Sequence, residues 1–192
     1  MQRKVEVAVV RLPRSGWRLA PMTEEKAHEV IDWQYPEPYA FYNLTGEVLG
    51  ELLDGSYRVA LEESGRVAAF YCTGASARVT GGLYEEPGSV DIGLGLRPDL
   101  TSRGLGGPFL MDILEHLAGT LQPKQFRLTV VAANERAVRL YERLGFRTVR
   151  RFEGEVHAFL IMLAPVPNAA YQEHQHRQRQ ENSAKPERLG QG

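Results

Sequence analysis

The sequence lacks three features that would place it in a special class of protein. It has one cysteine, Cys72, in 192 residues, which excludes an internal disulfide and favours the reducing environment of the cytoplasm. No run approaches the roughly 18 apolar residues of a membrane span. The first apolar stretch, Val5 to Leu12, is too short and too interrupted for a signal-peptide core. We therefore expect no membrane partner.

An excess of charge of one sign is also missing. Lys plus Arg is 23 and Asp plus Glu is 24, a formal net charge of −1. No overall positive field is available to hold a polyanion, so no nucleic-acid partner is expected. Hydrophobic residues at 43% and charged residues at 24% are typical of a soluble globular protein.

The length predicts one domain followed by a tail. Residues 1–164 carry strand and helix patterns throughout. Residues 165–192 form a Gln-, His- and Arg-rich run with little to bury. We therefore predict a folded domain over 1–164 and a disordered tail over 165–192.

Hydrophobic periodicity predicts an alternation of strands and helices typical of an α/β or α+β protein with a mixed sheet. The predicted strands are Val5–Val10, Trp17–Ala20, Tyr57–Glu62, Arg66–Ala75, Val90–Leu96, Phe126–Ala133, Arg147–Phe152 and Val156–Leu163. The predicted helices are Thr23–Gln34, Val48–Leu53, one over Phe109–Leu117 that ends at Gly119, and one capped by Asn134 that ends at Gly145.

A glycine-rich loop at 97–107 is the most informative segment. It follows the strand that ends at Leu96 and leads into the helix at Pro108, so it can present unpaired N–H groups to an anion such as a pyrophosphate. A P-loop would need a Lys after these glycines, and none is there. A dinucleotide-binding fold would need a third Gly where Phe109 stands. A glycine-rich turn without a ligand stays open at this point.

A second motif follows at residues 134–146, with Asn134, Ala137, Tyr141, Gly145 and Phe146 at fixed spacing. Together the two motifs resemble the GNAT superfamily of acetyl-CoA-dependent N-acetyltransferases. The resemblance covers about Trp17 to Ala164. Residues 103–108 match the superfamily's Gln/Arg-x-x-Gly-x-Gly/Ala signature except at the last position, where a proline offers no N–H.

The resemblance implies a fold, a reaction and a binding site. The fold would be a GNAT-like single domain with a central mixed, mostly antiparallel twisted sheet flanked by helices. The reaction would move an acetyl group from acetyl-CoA directly to a primary amine, without a covalent acyl-enzyme and without a metal. The residues implied for acetyl-CoA are Leu94, Gly95 and Leu96 on a splayed strand, Arg103, Gly104, Leu105, Gly106 and Gly107 for the pyrophosphate, and Asn134 for the pantetheine.

The catalytic and acceptor residues each have a simpler structural explanation. Tyr141 would protonate the departing thiolate, but its place on an apolar helix stripe also suits a core tyrosine. Asp91 is the candidate base for the amine because it shares a strand face with two glycines, and the alternative is a surface strand aspartate held in a hydrogen bond. The aromatic segment at 33–43 would form a substrate wall through Tyr35, Tyr39 and Tyr42, or a hydrophobic plug between two helices.

Three functional classes follow from these patterns. An acetyltransferase acting on a small-molecule or peptide amine fits both motifs. A CoA-binding sensor or regulatory module without turnover needs only the loop and the strand. A nucleotide-binding or interaction protein would have no affinity for CoA. An exposed apolar strand such as Val5–Val10 could pair between subunits, so a homodimer is a further expectation.

Overall fold

Residues 10–167, which the computed structural model describes, form one eight-stranded sheet and four helices. The strands are β1 (Val10–Arg11), β2 (Arg18–Pro21), β3 (Tyr57–Leu61), β4 (Val67–Thr73), β5 (Ser89–Leu96), β6 (Gln125–Val131), β7 (Arg147–Glu153) and β8 (Ala158–Pro165). The helices are α1 (Glu24–Ile31), α2 (Leu49–Leu52), α3 (Gly106–Leu121) and α4 (Glu135–Arg143).

The strand order in the sheet is β1-β2-β3-β4-β5-β6-β8-β7. Every neighbouring pair is antiparallel except β5 and β6, which run parallel. The order arises because β1 to β5 pair in sequence, α3 crosses over to β6, and the last hairpin places β8 inside β7. The predicted mixed, mostly antiparallel sheet is confirmed.

The helices cover both faces of the sheet. On one face α3 and α4 pack in the largest hydrophobic cluster with Ile92 of β5 and Phe126 of β6, which are 1% and 0% exposed. On the other face α1 and α2 pack against β3 and β4 through two smaller clusters. Side chains alternate along β5, so Gly93 and Gly95 lie on the α1 face. A Cβ at Gly95 would lie 2.6 Å from the Phe70 ring.

The helix ends follow the predicted caps with one exception. The Thr23 hydroxyl accepts the Lys26 N–H at 3.4 Å at the start of α1. The prediction that Gly119 ends α3 is wrong, because the helix continues to Leu121. Gln122 then takes a left-handed conformation and bonds its N–H to the carbonyl of the last turn. A solvent-facing glycine weakens a helix but does not have to end it.

A buried carboxylate joins α3 to the loop between β1 and β2. Asp112 accepts the backbone N–H groups of Arg14 and Ser15 at 3.0 and 2.8 Å, and the Ser15 hydroxyl at 2.8 Å. Its bonds explain why this residue is buried although it lies outside the apolar stripe of its helix. Trp17 follows the loop and packs on the Phe109 ring at 5.4 Å.

The predictions for the chain ends are tested only in part. Pro165 pairs with Gln125 in the sheet and Val166 packs on the main core, so the folded region extends slightly beyond 164. The remainder of the predicted tail and most of the strand Val5–Val10 lie outside the described residues. The homodimer through that strand stays a prediction.

Candidate functional site

The parallel strands β5 and β6 separate partway along their length. Their register runs from Ser89 opposite Gln125 to Ile92 opposite Leu128 and ends there. Beyond this point β6 continues beside β8, while β5 continues beside β4. A wedge-shaped opening therefore lies between residues 94–96 and the end of β6. The predicted splay of this strand is confirmed.

The edge of β5 that faces this opening carries backbone polar groups. Arg97 donates its N–H to the Ala68 carbonyl at 2.9 Å across the β4–β5 pair. Bonded and non-bonded pairs alternate along an antiparallel ladder, so the backbone groups of Leu94 and Leu96 point toward the opening. The Leu96 carbonyl accepts the Tyr35 hydroxyl at 2.7 Å. The other groups form a strand edge to which an extended ligand can add.

A cavity of about 760 Å³ fills the opening and is lined from both faces of the sheet. Its walls come from β5 and β6, the aromatic segment, the glycine-rich loop and α4. All but three of the predicted site residues line it. Those that do are Tyr35, Tyr39, Tyr42, Leu94, Gly95, Leu96, Gly104, Gly106, Gly107, Asn134 and Tyr141.

The glycine-rich loop turns at the mouth of the cavity and then opens α3. Ser102 and Gly104 have left-handed backbone angles, with φ of 60° and 78°. α3 begins at Gly106, so the N–H groups of Gly106 and Gly107 lie in its first turn and have no carbonyl within the helix to bond. Pro108 follows without an N–H. The loop therefore offers two backbone donors and the positive end of the helix dipole to an anion.

The arginine of the cavity wall that contacts the loop is not the one in the loop signature. Arg103 is exposed and lies outside the cavity wall, and Leu105 packs on the main core. Arg136 of α4 lines the cavity instead. It donates to the Ser102 hydroxyl at 2.8 Å and its guanidinium lies 4.5 Å from the centre of the Tyr39 ring. The positive side chain beside the loop therefore comes from α4.

Tyr141 of α4 brings an uncommitted hydroxyl to the cavity. The residue is 9% exposed, and its ring lies 6.0 Å from Phe146. In the part of the chain that the structure describes, no side chain or backbone group bonds its hydroxyl. The hydroxyl oxygen is not sealed in the core, and the residue lines the cavity. Burial raises the pKa of Tyr141, and the neighbouring Tyr42 raises it further. The hydroxyl therefore stays protonated at neutral pH.

Asn134 caps α4 and also contacts the aromatic segment. Its Oδ1 accepts the Ala137 N–H at 3.2 Å, the bond of a helix N-cap. Its Nδ2 lies 3.1 Å from the Tyr42 hydroxyl oxygen. The capping role predicted for this residue is confirmed, while its contact with pantetheine stays a prediction.

The aromatic segment spans the opening between the two halves of the sheet. Tyr35 bonds to β5, Tyr39 stacks on α4 and Tyr42 contacts the α4 cap. Phe41 packs between Tyr42 at 4.3 Å and His157 at 4.5 Å. The Tyr35 N–H donates to the Asn43 side chain at 2.7 Å and closes the segment on itself. The segment therefore forms one wall of the cavity, and its role as a substrate wall stays a prediction.

Comparisons with known proteins agree with this geometry. The FR47-like protein family matches residues 71–153, from β4 to the end of β7. An acetyltransferase of the GNAT family from Bacillus anthracis is 10% identical with a TM-score of 0.63, and the alignment covers 82% of this chain and 98% of that one. The chain has the GNAT fold. The GNAT-like fold that the resemblance implied is confirmed.

Two further solved structures share the GNAT fold with this chain. An uncharacterized protein from Bacillus halodurans is 15% identical with a TM-score of 0.68, covering 91% of this chain and 96% of that one. The spermidine/spermine N-acetyltransferase SpeG from Vibrio cholerae, in mutant forms, is 16% identical with a TM-score of 0.57, covering 82% and 98%. No curated protein sequence matches the chain.

Asp91 is not part of the cavity of this GNAT fold, which corrects the prediction of a catalytic base. The residue is 2% exposed and lies outside the cavity wall. Arg127, its register partner on β6, bonds both of its carboxylate oxygens, and Arg78 donates to Oδ2 at 2.8 Å. A carboxylate that is buried outside the cavity and bonded by two guanidinium groups is not placed to meet a substrate amine.

The loop before β5 carries two further carboxylates, and both are engaged in ion pairs. Glu86 accepts from Arg127 at 2.7 Å. The pKa of Glu86 lies below its ordinary value. Burial is the largest single influence and raises this pKa, but the hydrogen bonds from its own backbone N–H and from Arg127, with the charge of Arg127, together lower it by more. Glu85 pairs with Arg150 at 3.3 Å. Neither glutamate lines the cavity.

Cys72 is poorly placed to act as a nucleophile in this fold. It is 3% exposed, and its Sγ lies 3.4 Å from the Ser76 carbonyl. Burial raises the pKa of the Cys72 thiol to about 11. The thiolate form that attacks carbonyls is therefore scarce at neutral pH.

Sequence reasoning missed two arginines of the cavity wall, Arg136 and Arg143. The signal that could have found them is helical spacing, since Arg136, Leu140 and Arg143 recur at i, i+4 and i+7 and so share a face of α4.

Within residues 10–167 no helix is long and apolar enough to cross a membrane. Over the same range no cluster of His, Cys, Asp or Glu is arranged to hold a metal ion.

Proposed function

We propose that this chain transfers an acetyl group from acetyl-CoA to an amine. The observation that carries the proposal is the meeting of three features in one cavity: the open edge of β5, the first turn of α3 and the uncommitted hydroxyl of Tyr141. Each feature suits a different part of a CoA thioester. The single buried cysteine favours a reducing compartment such as the cytoplasm for this reaction.

The residues that would hold acetyl-CoA are distributed around the opening. The backbone of Leu94 and Leu96 would bond the amides of the pantetheine as an added strand does. The N–H groups of Gly106 and Gly107 would bind the pyrophosphate, and the Arg136 guanidinium lies at the same loop. These contacts orient the thioester toward the sheet interior, where the aromatic segment meets α4.

The thioester supplies an activated acetyl group, and the protein supplies position and a proton. The amine nitrogen attacks the carbonyl carbon to form a tetrahedral intermediate, the C–S bond then breaks as the carbonyl re-forms, and no acyl-enzyme forms. The hydroxyl of Tyr141 gives its proton to the sulfur and regains one from solvent. A thiol of ordinary pKa near 8.5 needs modest help to leave, so positioning supplies the larger part of the acceleration.

The acceptor would bind against the aromatic wall as a small-molecule or peptide amine. Trp33, Tyr35 and Phe70 line that part of the cavity, and aromatic faces attract an amine-bearing or apolar group. The part of the chain that the structure describes places no carboxylate or histidine in the wall. In the proposed reaction the amine therefore loses its proton to water.

Calorimetric titration with acetyl-CoA tests the binding half of the proposal. Gly107→Glu would place a carboxylate in the first turn of α3, where a new Cβ meets Leu140 only at an ordinary 3.4 Å. Repulsion of the phosphates should weaken binding about 100-fold or more. Gly119→Glu on the same helix is the matched control, because open space surrounds its Cβ. Absence of binding by the native chain would overturn the proposal.

Release of the CoA thiol in the presence of an amine panel tests the catalytic half. The panel includes spermidine, for which one structural neighbour is named, together with arylamines and peptide amines. Tyr141→Phe should lower kcat by roughly 100-fold, a low value for loss of a general acid. Tyr71→Phe removes a hydroxyl outside the cavity wall and serves as its control. Binding of acetyl-CoA without turnover of any amine would instead favour the non-catalytic CoA-binding module.

A further inference from the structure

The tyrosine hydroxyls of the cavity differ in whether they donate or accept a hydrogen bond within the protein. Tyr35 donates its hydrogen to the Leu96 carbonyl at 2.7 Å. Tyr42 has the opposite arrangement, since it receives a hydrogen bond from Asn134 at 3.1 Å. Tyr141 has no hydrogen-bond partner among residues 10–167. The direction of the Asn134–Tyr42 bond therefore decides where the Tyr42 hydrogen can point.

The helix cap fixes that direction. The N–H of Ala137 is a donor, so the side-chain atom of Asn134 that it meets at 3.2 Å must be the carbonyl oxygen. The atom of Asn134 that faces Tyr42 is then the amide nitrogen, which can only donate. The Tyr42 oxygen accepts this bond, and its own hydrogen is left for another acceptor.

Tyr42 is placed where a thioester would react. It lines the cavity together with Tyr141, and Asn134, which bonds its hydroxyl, caps the helix that carries Tyr141. The ring of Tyr42 is held between Phe41 at 4.3 Å and Tyr35 at 6.2 Å. A donor fixed on both its ring and its oxygen is preorganised, which is what stabilisation of a developing charge requires.

We propose that Tyr42 donates a hydrogen bond to the carbonyl oxygen of the thioester, and that Asn134 is the positioning residue that turns this hydrogen into the cavity. The proposal rests on the proposed acetyltransferase function. As the amine nitrogen bonds to the carbonyl carbon, the C=O π electrons move to oxygen, and the Tyr42 hydrogen bond stabilises that charge without transfer of a proton. When the electrons return, the C–S bond breaks and the sulfur takes its proton from Tyr141.

Substitution of Tyr42 by Phe keeps the ring and removes only the donor. We expect kcat to fall roughly 100-fold, the lower end of the 10²–10³ loss seen when one such donor is removed, with KM for acetyl-CoA within about twofold. Tyr71→Phe again provides the matched loss of one hydroxyl outside the cavity wall. A Tyr42→Phe variant with kcat within about twofold of the native chain would overturn the proposal.

Substitution of Asn134 by Asp tests the positioning role. The carboxylate keeps an oxygen for the Ala137 N–H and so keeps the helix cap, but its second oxygen accepts a hydrogen bond instead of donating one. The Tyr42 hydrogen would then bond this second oxygen and point away from the cavity. We expect a loss of kcat comparable to that of Tyr42→Phe, and no further loss when both substitutions are combined. Equal effects of Asn134→Asp in the presence and absence of the Tyr42 hydroxyl would contradict this role.

A spectroscopic measurement separates this proposal from the proposed function. Acetyl-CoA labelled with a heavy isotope at the carbonyl carbon is bound to the native chain, to Tyr42→Phe and to Tyr71→Phe, and the infrared carbonyl band is recorded. A donor on the oxygen weakens the C=O bond, so the band should lie at lower frequency in the native chain and in Tyr71→Phe than in Tyr42→Phe. The same band in all three would overturn the inference while leaving the acetyltransferase proposal intact. Failure of the native chain to bind acetyl-CoA would overturn both this inference and the acetyltransferase proposal.

Discussion

The two ends of β5 are each held by a buried arginine, but the two clusters differ in their exposure to water. At the start of the strand Arg127 bonds Asp91, and their side chains are 1% and 2% exposed. At its end Arg97 bonds Glu62 and Asp99, whose side chains are 28% and 53% exposed. Between these clusters the strand has one free edge, which faces the cavity.

The two clusters also differ in their position relative to the opening. Asp91 and Arg127 are register partners one residue before the pairing of β5 and β6 ends. Their ion pair therefore joins the two strands directly beside the point at which they diverge. Arg97 holds the other end of β5 to the β3–β4 hairpin, where it also donates to the Val67 carbonyl at 2.8 Å. We expect damage to the first cluster to cost more stability than damage to the second.

Arg127→Met should have the largest effect. It leaves the Asp91 carboxylate buried with only the partly exposed Arg78 as a partner, and breaking a buried pair costs about 3–5 kcal/mol. The free energy of unfolding in urea measures this loss. Arg150→Met is the matched control, because its partner Glu85 is 71% exposed, and its cost should stay within about 1 kcal/mol. Equal losses for the two variants would remove the distinction between buried and exposed pairs.

The double variant Asp91→Leu/Arg127→Met should recover about 2 kcal/mol of that loss. Removal of both charges eliminates the uncompensated carboxylate, and apolar side chains tolerate the buried site. Unfolding in urea of the two single variants and the double variant gives the coupling energy. An additive result would show that the two groups do not act as a pair. Because Asp91 lies outside the cavity, we also expect turnover to keep its pH profile in the double variant.

Arg97→Met should cost about 1–2 kcal/mol, less than Arg127→Met. The loss comes mainly from the Val67 carbonyl, a buried acceptor left without its bond. Glu62 and Asp99 are partly exposed, so water can solvate them when the arginine is gone. Urea unfolding under the same conditions as for Arg127→Met makes the comparison direct. A loss equal to that of Arg127→Met would mean that exposure of the carboxylates does not matter.

Asp99→Asn should have the smallest effect and should depend on pH. The hydrogen bond from Arg97 holds the pKa of Asp99 below its ordinary 3.8, although burial opposes this. A lowered folded-state pKa stabilises the protein above the ordinary value, and this contribution is lost as pH falls through the lowered pKa. We expect the variant to be about 0.2–1 kcal/mol less stable at pH 7. Urea unfolding across acidic pH should show the difference vanish below the lowered pKa; a constant difference would contradict the assignment.

Local patterns predicted the secondary structure well, because caps and turns act through neighbouring residues. Thr23 and Asn134 both cap helices, as their positions before apolar stripes indicated. The prediction that α3 ends at Gly119 failed because a helix can continue past a glycine when tertiary packing holds the residues on either side. The cap of α3 is Gln122, a residue type that seldom adopts a left-handed conformation.

The part of the cavity wall formed by the glycine-rich loop and α4 was largely predictable, whereas the surroundings of Asp91 and of the aromatic segment were not. The glycine-rich loop and α4 each form the site from consecutive residues, so their spacing in the sequence is their spacing in space. Asp91 could not be assigned, since its partner Arg127 is 36 residues away and becomes its neighbour only in the parallel β5–β6 pair. The aromatic segment likewise contacts β5, α4 and the β7–β8 hairpin, which no local pattern connects.

The two tryptophans of this chain give it an internal optical probe. Trp33 lines the cavity beside Phe70 at 5.8 Å, whereas Trp17 packs on Phe109 in the main core. A molecule that enters the cavity therefore changes the surroundings of one indole and leaves those of the other constant. Fluorescence of the unlabelled protein, with Trp17 as its internal reference, would report occupancy of the cavity before any acceptor is known.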